Sequence, residues 1–200
     1  LFRAIVLPMS LLLILIEACN RITSGILIGL APMVTIQELG WTQLAYANWI
    51  AITGVTAAVL GVLCSPWIDR VGALRILKWV VMLRIGLLGL TAALEPYWGI
   101  HQVFESFLMI NAVATQLVTV TLIALFMRLC SPRVAASQFA VYMALANMTY
   151  SLGSGLMVPL SHWTHQAGIM LVCAALIALM WLLIHWVDFE RHDQDLNKLS

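Results

Sequence analysis

Six long apolar stretches dominate the chain, and they constrain its fold more than any other feature. Only 10% of the 200 residues are Asp, Glu, Lys or Arg, whereas 62% are hydrophobic. A soluble domain carries roughly 25% charged residues, because its surface must be hydrated. The composition therefore excludes a soluble enzyme and a disordered tail. The net charge of +1 is too small to attract the phosphate backbone of a nucleic acid, so we expect no nucleic-acid partner.

Each apolar stretch is long enough to cross a lipid bilayer as a helix. A hydrocarbon core about 30 Å thick needs about 20 residues, and backbone polar groups in lipid must be paired within their own segment. The predicted fold class is an all-α membrane protein with six transmembrane helices at residues 1–187, followed by a polar cytoplasmic tail at 188–200. The predicted spans are 4–34, 44–66, 74–94, 103–127, 138–160 and 168–187.

Basic residues in the connections lie on one side only. The connections 35–43, 95–102 and 161–167 contain no Lys or Arg. The opposite connections, the two termini and their flanks contain Arg3, Arg70, Arg75, Lys78, Arg128, Arg133, Arg191 and Lys198. Because positively charged loops stay in the cytoplasm, we expect both termini to be cytoplasmic. The expected location is the plasma membrane, or the inner membrane of a bacterium.

The first stretch carries four polar residues midway: Glu17, Asn20, Arg21 and Ser24. At 100° per residue they share one helix face. An ionisable residue at mid-membrane costs at least ~2.5–3.5 kcal/mol and usually faces a bundle interior or a water-filled cavity. Glu17 and Arg21 stand four residues apart in the favourable order for an intrahelical pair. Two interpretations remain open: an ion pair that only fixes helix packing, or a substrate and proton site.

Further polar residues fall inside the third and fourth stretches. Asn111 and Thr115 form a stripe along the fourth stretch and favour either an interhelical hydrogen bond or a cavity lining. Glu105 either reaches the membrane interface or is a buried proton carrier. Arg84 has no acid within its own stretch, so its partner must come from another helix or another chain.

Neither a metal site nor a cofactor is expected. The four cysteines form no CxxC pair, and the outer-loop pair His162 and His165 lacks a nearby acid. An intramembrane enzyme is also disfavoured, because Ser154 and His185 lie near opposite ends of their spans and no span contains Asp. Three classes of membrane protein remain: a secondary transporter, one half of such a transporter, and a scaffold that transports nothing.

Two stretches resemble a known family. Residues 65–75 read Ser-Pro-Trp-Ile-Asp-Arg-Val-Gly-Ala-Leu-Arg, which resembles the loop motif of the major facilitator superfamily between the second and third helices of a six-helix unit. Residues 126–146 begin Phe-Met-Arg-Leu-Cys-Ser-Pro and include Ser-Gln-Phe-Ala at 137–140. They are similar to the branch of AmpG-type muropeptide permeases and acetyl-CoA-transporter-like proteins. The Phe104-Glu105 pair is also similar to that branch.

The resemblance implies a two-part architecture. Members of the superfamily have two six-helix halves, each a 3+3 inverted repeat, with the substrate site between them. The chain would be the C-terminal half. Its partner would be a second half, supplied by another chain, by a missing N-terminal segment or by a copy of itself. Asp69, with Arg70 and Arg75, would hold a cytoplasmic gate closed.

The predicted function is secondary active transport across the lipid bilayer, coupled to protons. The expected substrate is an anionic or amphiphilic small molecule, such as a muropeptide-like sugar peptide. In the superfamily the first and fourth helices of a half line the central cavity, and both carry polar residues here. The candidate substrate-binding residues are Glu17, Asn20, Arg21, Asn111 and Thr115, and the candidate proton carriers are Glu17 and Glu105.

Overall fold

The computed structural model describes residues 7–130 and 134–187, and it contains no strand in these ranges. The predicted all-α class is confirmed. Arg3, Arg133 and the predicted tail at 188–200 lie outside the described residues. The six long helices are α1 Pro8–Pro32, α2 Gln43–Val71, α3 Ala73–Ala93, α4 His101–Leu129, α5 Ala135–Trp163 and α6 Gln166–Ile184.

Local sequence explains several helix ends. α1 begins at Pro8, where a missing N–H costs nothing, and passes at Pro32 into a π-helical segment, Met33–Glu38. α2 begins after Thr42, whose hydroxyl oxygen accepts a hydrogen bond from the Ala45 N–H at 3.1 Å. Gly72 follows the last residue of α2, and its φ of 97° is a conformation that suits glycine. This conformation lets the chain turn directly into α3.

Five helical stretches are long and apolar enough to cross a membrane: Pro8–Glu38, Gln43–Val71, Ala73–Ala93, His101–Leu129 and Gln166–Ile184. α5 is not among them, although it is 29 residues long and contains no Asp, Glu, Lys or Arg. Its Ser, Thr, Asn, Gln and Gly residues lower its mean hydropathy. The prediction of six membrane spans is therefore not confirmed. The prediction of an integral membrane protein is confirmed.

The helices pack around α1, which contacts α5 and α6 along its length. α3 lies between α6 and α4, and α2 packs mainly on α4. Two hydrogen bonds join the connections at one end of the bundle. Trp41 Nε1 donates to His101 Nδ1 at 3.1 Å, and Gln166 donates to the Glu38 carboxylate. The first residues of α2, α4 and α6 therefore lie at the same end.

α1 and α5 approach at two glycines. A Cβ added to Gly25 would overlap the backbone of Tyr150 and Ser154, and one added to Gly153 would overlap the backbone of Ile22. No side chain fits between the helices at this crossing. Gly29, four residues after Gly25, packs against the side chain of Met157. The small residues thus hold α1 and α5 backbone to backbone, as small-residue motifs do in membranes.

Candidate functional site

The charged residues of α1 form one hydrogen-bonded cluster. Glu17 is 3% exposed, and its Oε1 accepts a hydrogen bond from Arg21 Nε at 2.6 Å. Its Oε2 accepts from Asn20 Nδ2 at 3.4 Å. Ser24 on the next turn donates its hydroxyl to the Asn20 carbonyl at 2.9 Å. α1 presents these groups together because they share one helix face.

Arg84 joins this cluster from α3. Its side chain is 0% exposed, and Nη1 donates to Asn20 Oδ1 at 2.7 Å. Its Nε and Nη2 have no hydrogen-bond partner. Within the part of the chain that the structure describes, no carboxylate forms an ion pair with Arg84. The partner left open by the sequence is therefore an amide on another helix rather than an acid.

A cavity of about 460 Å³ lies between α1, α2 and α4. It brings together Asn20 and Arg21 of α1 with Asn111 and Thr115 of α4. Glu17 is not part of the lining and contacts the cavity through Arg21 and Asn20. Four of the five residues predicted to bind substrate thus face the same space, and the fifth lies directly behind them.

Two polar atoms in this cavity have no partner. Asn111 Oδ1 and the Thr115 hydroxyl are buried and make no hydrogen bond. Thr119, one turn further along α4, instead donates its hydroxyl to the Thr115 carbonyl at 2.9 Å. A buried polar group without a partner costs about 1–3 kcal/mol. Asn111 and Thr115 are therefore the groups most ready to bind a polar ligand.

Most of the remaining lining is apolar or aromatic, and the sequence analysis did not assign it to the site. α4 contributes Phe104 and Phe107, and single residues come from α5 and α6, namely Tyr150 and Met170. α2 was not expected in the lining. Its contribution is Tyr46, Ile50, Thr53, Gly54 and Ala57. The spacing of these residues follows one helix face, which is the signal that a search for a cavity-lining stripe would have used.

The remaining candidates lie elsewhere. Glu105 is half-buried on α4 but does not line the cavity. Asp69, Arg70 and Arg75 are exposed at the turn between α2 and α3. Asp69 makes no ion pair with Arg75 in the described ranges. A second cavity, of about 610 Å³, lies at this turn, and its lining includes Arg75, Lys78 and Arg128. Among the described residues, no group of three or more potential ligands could hold a metal ion.

A bundle of apolar helices enclosing a polar cavity defines the class of membrane transport proteins, in which substrate sites lie between helices. The family model of the Major Facilitator Superfamily matches residues 13–199. The chain therefore belongs to the Major Facilitator Superfamily and is an integral membrane protein, and members of this family are transporters rather than enzymes. Searches of the curated proteins and of the solved structures found no match.

Proposed function

We propose that the chain is a six-helix half, the C-terminal one, of a proton-coupled secondary transporter that works by alternating access. The observation that carries the proposal is the cavity of about 460 Å³ in which Arg21 and Asn20 of α1 face Asn111 and Thr115 of α4. A scaffold has no need of such a space, and unpartnered polar atoms in its walls would only destabilise it.

The lining favours an anionic or amphiphilic substrate. The planar guanidinium of Arg21 suits a carboxylate or phosphate. Asn20, Asn111 and Thr115 supply hydrogen bonds, while Phe104 and Phe107 provide an apolar wall for the rest of the molecule. A muropeptide-like sugar peptide combines these features, and the branch to which residues 126–146 are similar transports such compounds.

Proton coupling is assigned to Glu17. Its Oε1 accepts a hydrogen bond from Arg21 Nε at 2.6 Å. A substrate anion that binds Arg21 competes for the same guanidinium, and a buried carboxylate deprived of its cation is costly in a low-dielectric environment. Uptake of a proton by Glu17 removes that cost. Glu105 is the second candidate carrier, and it ranks behind Glu17 because, among the described residues, it forms no ion pair with Arg21.

A complete transporter needs a second six-helix half. α5 is assigned as the sixth span because it lies against α1, which is apolar enough to cross a membrane. Exposed apolar residues on α2 and α5, such as Val62, Leu63 and Val158, face lipid or that partner. The proposed location is the plasma membrane, or the bacterial inner membrane, with both termini cytoplasmic. Asp69, with Arg70 and Arg75, would then gate the cytoplasmic face against a helix of the other half.

Exchange of the two charges on α1 tests the proposal. The double variant Glu17→Arg with Arg21→Glu keeps an ion pair at the same spacing but reverses its members. We expect it to insert and fold, yet to lose uptake of labelled carboxylates and sugar peptides under a pH gradient in liposomes containing both halves. A matched control is the exchange of Gln116 and Thr119, since it alters the lining without moving a charge.

A non-transporting scaffold is the alternative, and one observation favours it. The ion pair of Glu17 and Arg21 closes within a single helix, as expected of a pair that only neutralises itself. On this alternative, the charge-reversed protein would behave as the wild type does in every assay. Uptake at the wild-type rate by the double variant would therefore contradict the transport roles assigned to Glu17 and Arg21.

A further inference from the structure

Arg84 is a fully buried cation, and no acid among the described residues forms an ion pair with it. It is on α3, which contributes no residue to the cavity, and its side chain is 0% exposed. One guanidinium nitrogen donates to Asn20 Oδ1 at 2.7 Å, while Nε and Nη2 make no hydrogen bond. Burying a charge without its counter-charge is strongly destabilising. A position that is purely structural would be served better by an apolar residue.

Asn20 joins Arg84 to Glu17 without cancelling the charge of either. A guanidinium only donates hydrogen bonds and a carboxylate only accepts them, so a group between the two must do both. The Asn20 amide does so, with Oδ1 accepting from Arg84 and Nδ2 donating to Glu17. An aspartate of the same shape at position 20 would instead neutralise Arg84 and repel Glu17. The amide therefore preserves the positive charge of Arg84 beside the cavity.

The charges of this cluster sum to +1. Arg21 and Arg84 contribute two positive charges and Glu17 one negative charge. Among the described residues, the cavity lining contains Arg21 as its charged member and includes no Asp or Glu. One negative charge is missing from a site that lies among apolar helices, and a ligand that enters the cavity is the group that can supply it.

We infer that Arg84 is a specificity-determining residue of the cavity, acting through Asn20, and that it selects a ligand carrying one negative charge. The ligand's carboxylate or phosphate diester binds Arg21, and its apolar part lies against Phe104 and Phe107. As long as Glu17 is ionised, the charges of the ligand and of the cluster then sum to zero. This inference rests on the proposed transport function, because it concerns the ligand of the same cavity.

Cysteine labelling measures the charge of the cavity without knowledge of the substrate. Ser24 lines the cavity, so Ser24→Cys is made in the full chain after the two partly exposed cysteines, Cys64 and Cys130, are replaced by alanine. The rate of modification is measured with an anionic sulfonatoethyl and a cationic trimethylammonium-ethyl methanethiosulfonate. The ratio of the two rates reports the electrostatic potential at position 24.

Arg84→Gln should lower the ratio of anionic to cationic rates roughly tenfold, since the loss of a full charge beside the cavity acts on the two reagents in opposite directions. Arg84→Lys keeps the charge and should keep the ratio high. Arg84→Met also removes the charge, and it decides the matter if Arg84→Gln does not fold. Arg21→Gln is the positive control, because Arg21 lines the cavity.

A cysteine at Tyr97, exposed outside the cavity, serves as the control site, and its ratio should not respond to Arg84→Gln. An unchanged ratio at position 24 in Arg84→Gln and Arg84→Met, with a lowered ratio in Arg21→Gln, would overturn the inference. Labelling requires no transport. A chain that moves no solute can therefore still support the role of Arg84, and a chain that transports normally can still refute it.

Discussion

Two residues of the cavity lining carry buried polar atoms without partners. These atoms are Asn111 Oδ1 and the Thr115 hydroxyl, and outside the lining Arg84 Nε and Nη2 also lack hydrogen-bond partners. The sequence marked these residues because polar groups are rare in apolar helices. It could not give the partner of Arg84, since Asn20 is 64 positions away along the chain and is uncharged. At the scale of residues, the polar groups and the pairing of Glu17 with Arg21 were predictable, whereas the pairing of Arg84 with Asn20 was not.

Thr115→Val is the sharpest change at this scale. Valine has the shape of threonine, and the Thr115 hydroxyl that it lacks makes no hydrogen bond to the described residues. We expect an unchanged or higher melting temperature, and a KM for uptake raised several-fold, because a hydrogen bond to the substrate contributes about 0.5–1.5 kcal/mol. Thermal unfolding in detergent and uptake in liposomes measure the two effects.

The matched control for that change is Thr121→Val on the same helix. The Thr121 hydroxyl already donates to the Leu117 and Val118 carbonyls at 2.9 and 2.8 Å, and the residue lies outside the cavity. Loss of the Thr121 hydroxyl should leave the KM for uptake unaltered. A Thr115→Val protein that melts lower but transports with the wild-type KM would assign the hydroxyl to packing alone.

The pairing of α1 with α5 is the element-scale feature that supports the site. Backbone contact at Gly25 and Gly153 fixes how α1 crosses α5, and α1 carries Arg21 and Asn20 into the cavity. Small residues permit such an approach, but the sequence also has glycines elsewhere on α2 and α5. Gly54 and Gly155 have no neighbour within 4 Å of an added Cβ. Only the packed helices distinguish the glycines that matter.

Gly153→Ala should destabilise the protein by about 1–3 kcal/mol, because the added methyl group overlaps the backbone of Ile22 and forces the two helices apart. Gly155→Ala, two residues along α5 and exposed, should be neutral or stabilising by up to about 1 kcal/mol through better helix propensity. Unfolding in detergent compares the two variants. Equal stability of the two proteins would argue against backbone contact at this crossing.

The whole molecule is a bundle whose connections alternate between two ends. Hydrogen bonds from Trp41 to His101 and from Gln166 to Glu38 hold three connections at one end, while Gly72, Arg75 and Arg128 lie around a cavity at the other. The first end is poor in basic residues and the second is rich in them. This arrangement agrees with one charge-sorted orientation in a membrane.

A membrane-impermeant maleimide tests that orientation. Cysteines placed at Gln37 and His165, both exposed at the end poor in basic residues, should react in intact cells. Cysteines placed at Arg133 and Asn197 should react only after the membrane has been permeabilised, because positively charged segments remain in the cytoplasm. The reverse pattern would invert the topology and, with it, the side on which Asp69 lies.

The sequence by itself determined the helical membrane fold, the superfamily and the polar stripes of α1 and α4. These properties are local, because helix hydrogen bonds join residues four apart and lipid accepts only long apolar segments. Tertiary structure alone decided that α2 walls the cavity, that Glu105 lies outside it and that Arg84 meets an amide. An apolar residue that faces lipid and one that faces a cavity have the same sequence signature, and contacts between helices depend on how whole surfaces pack.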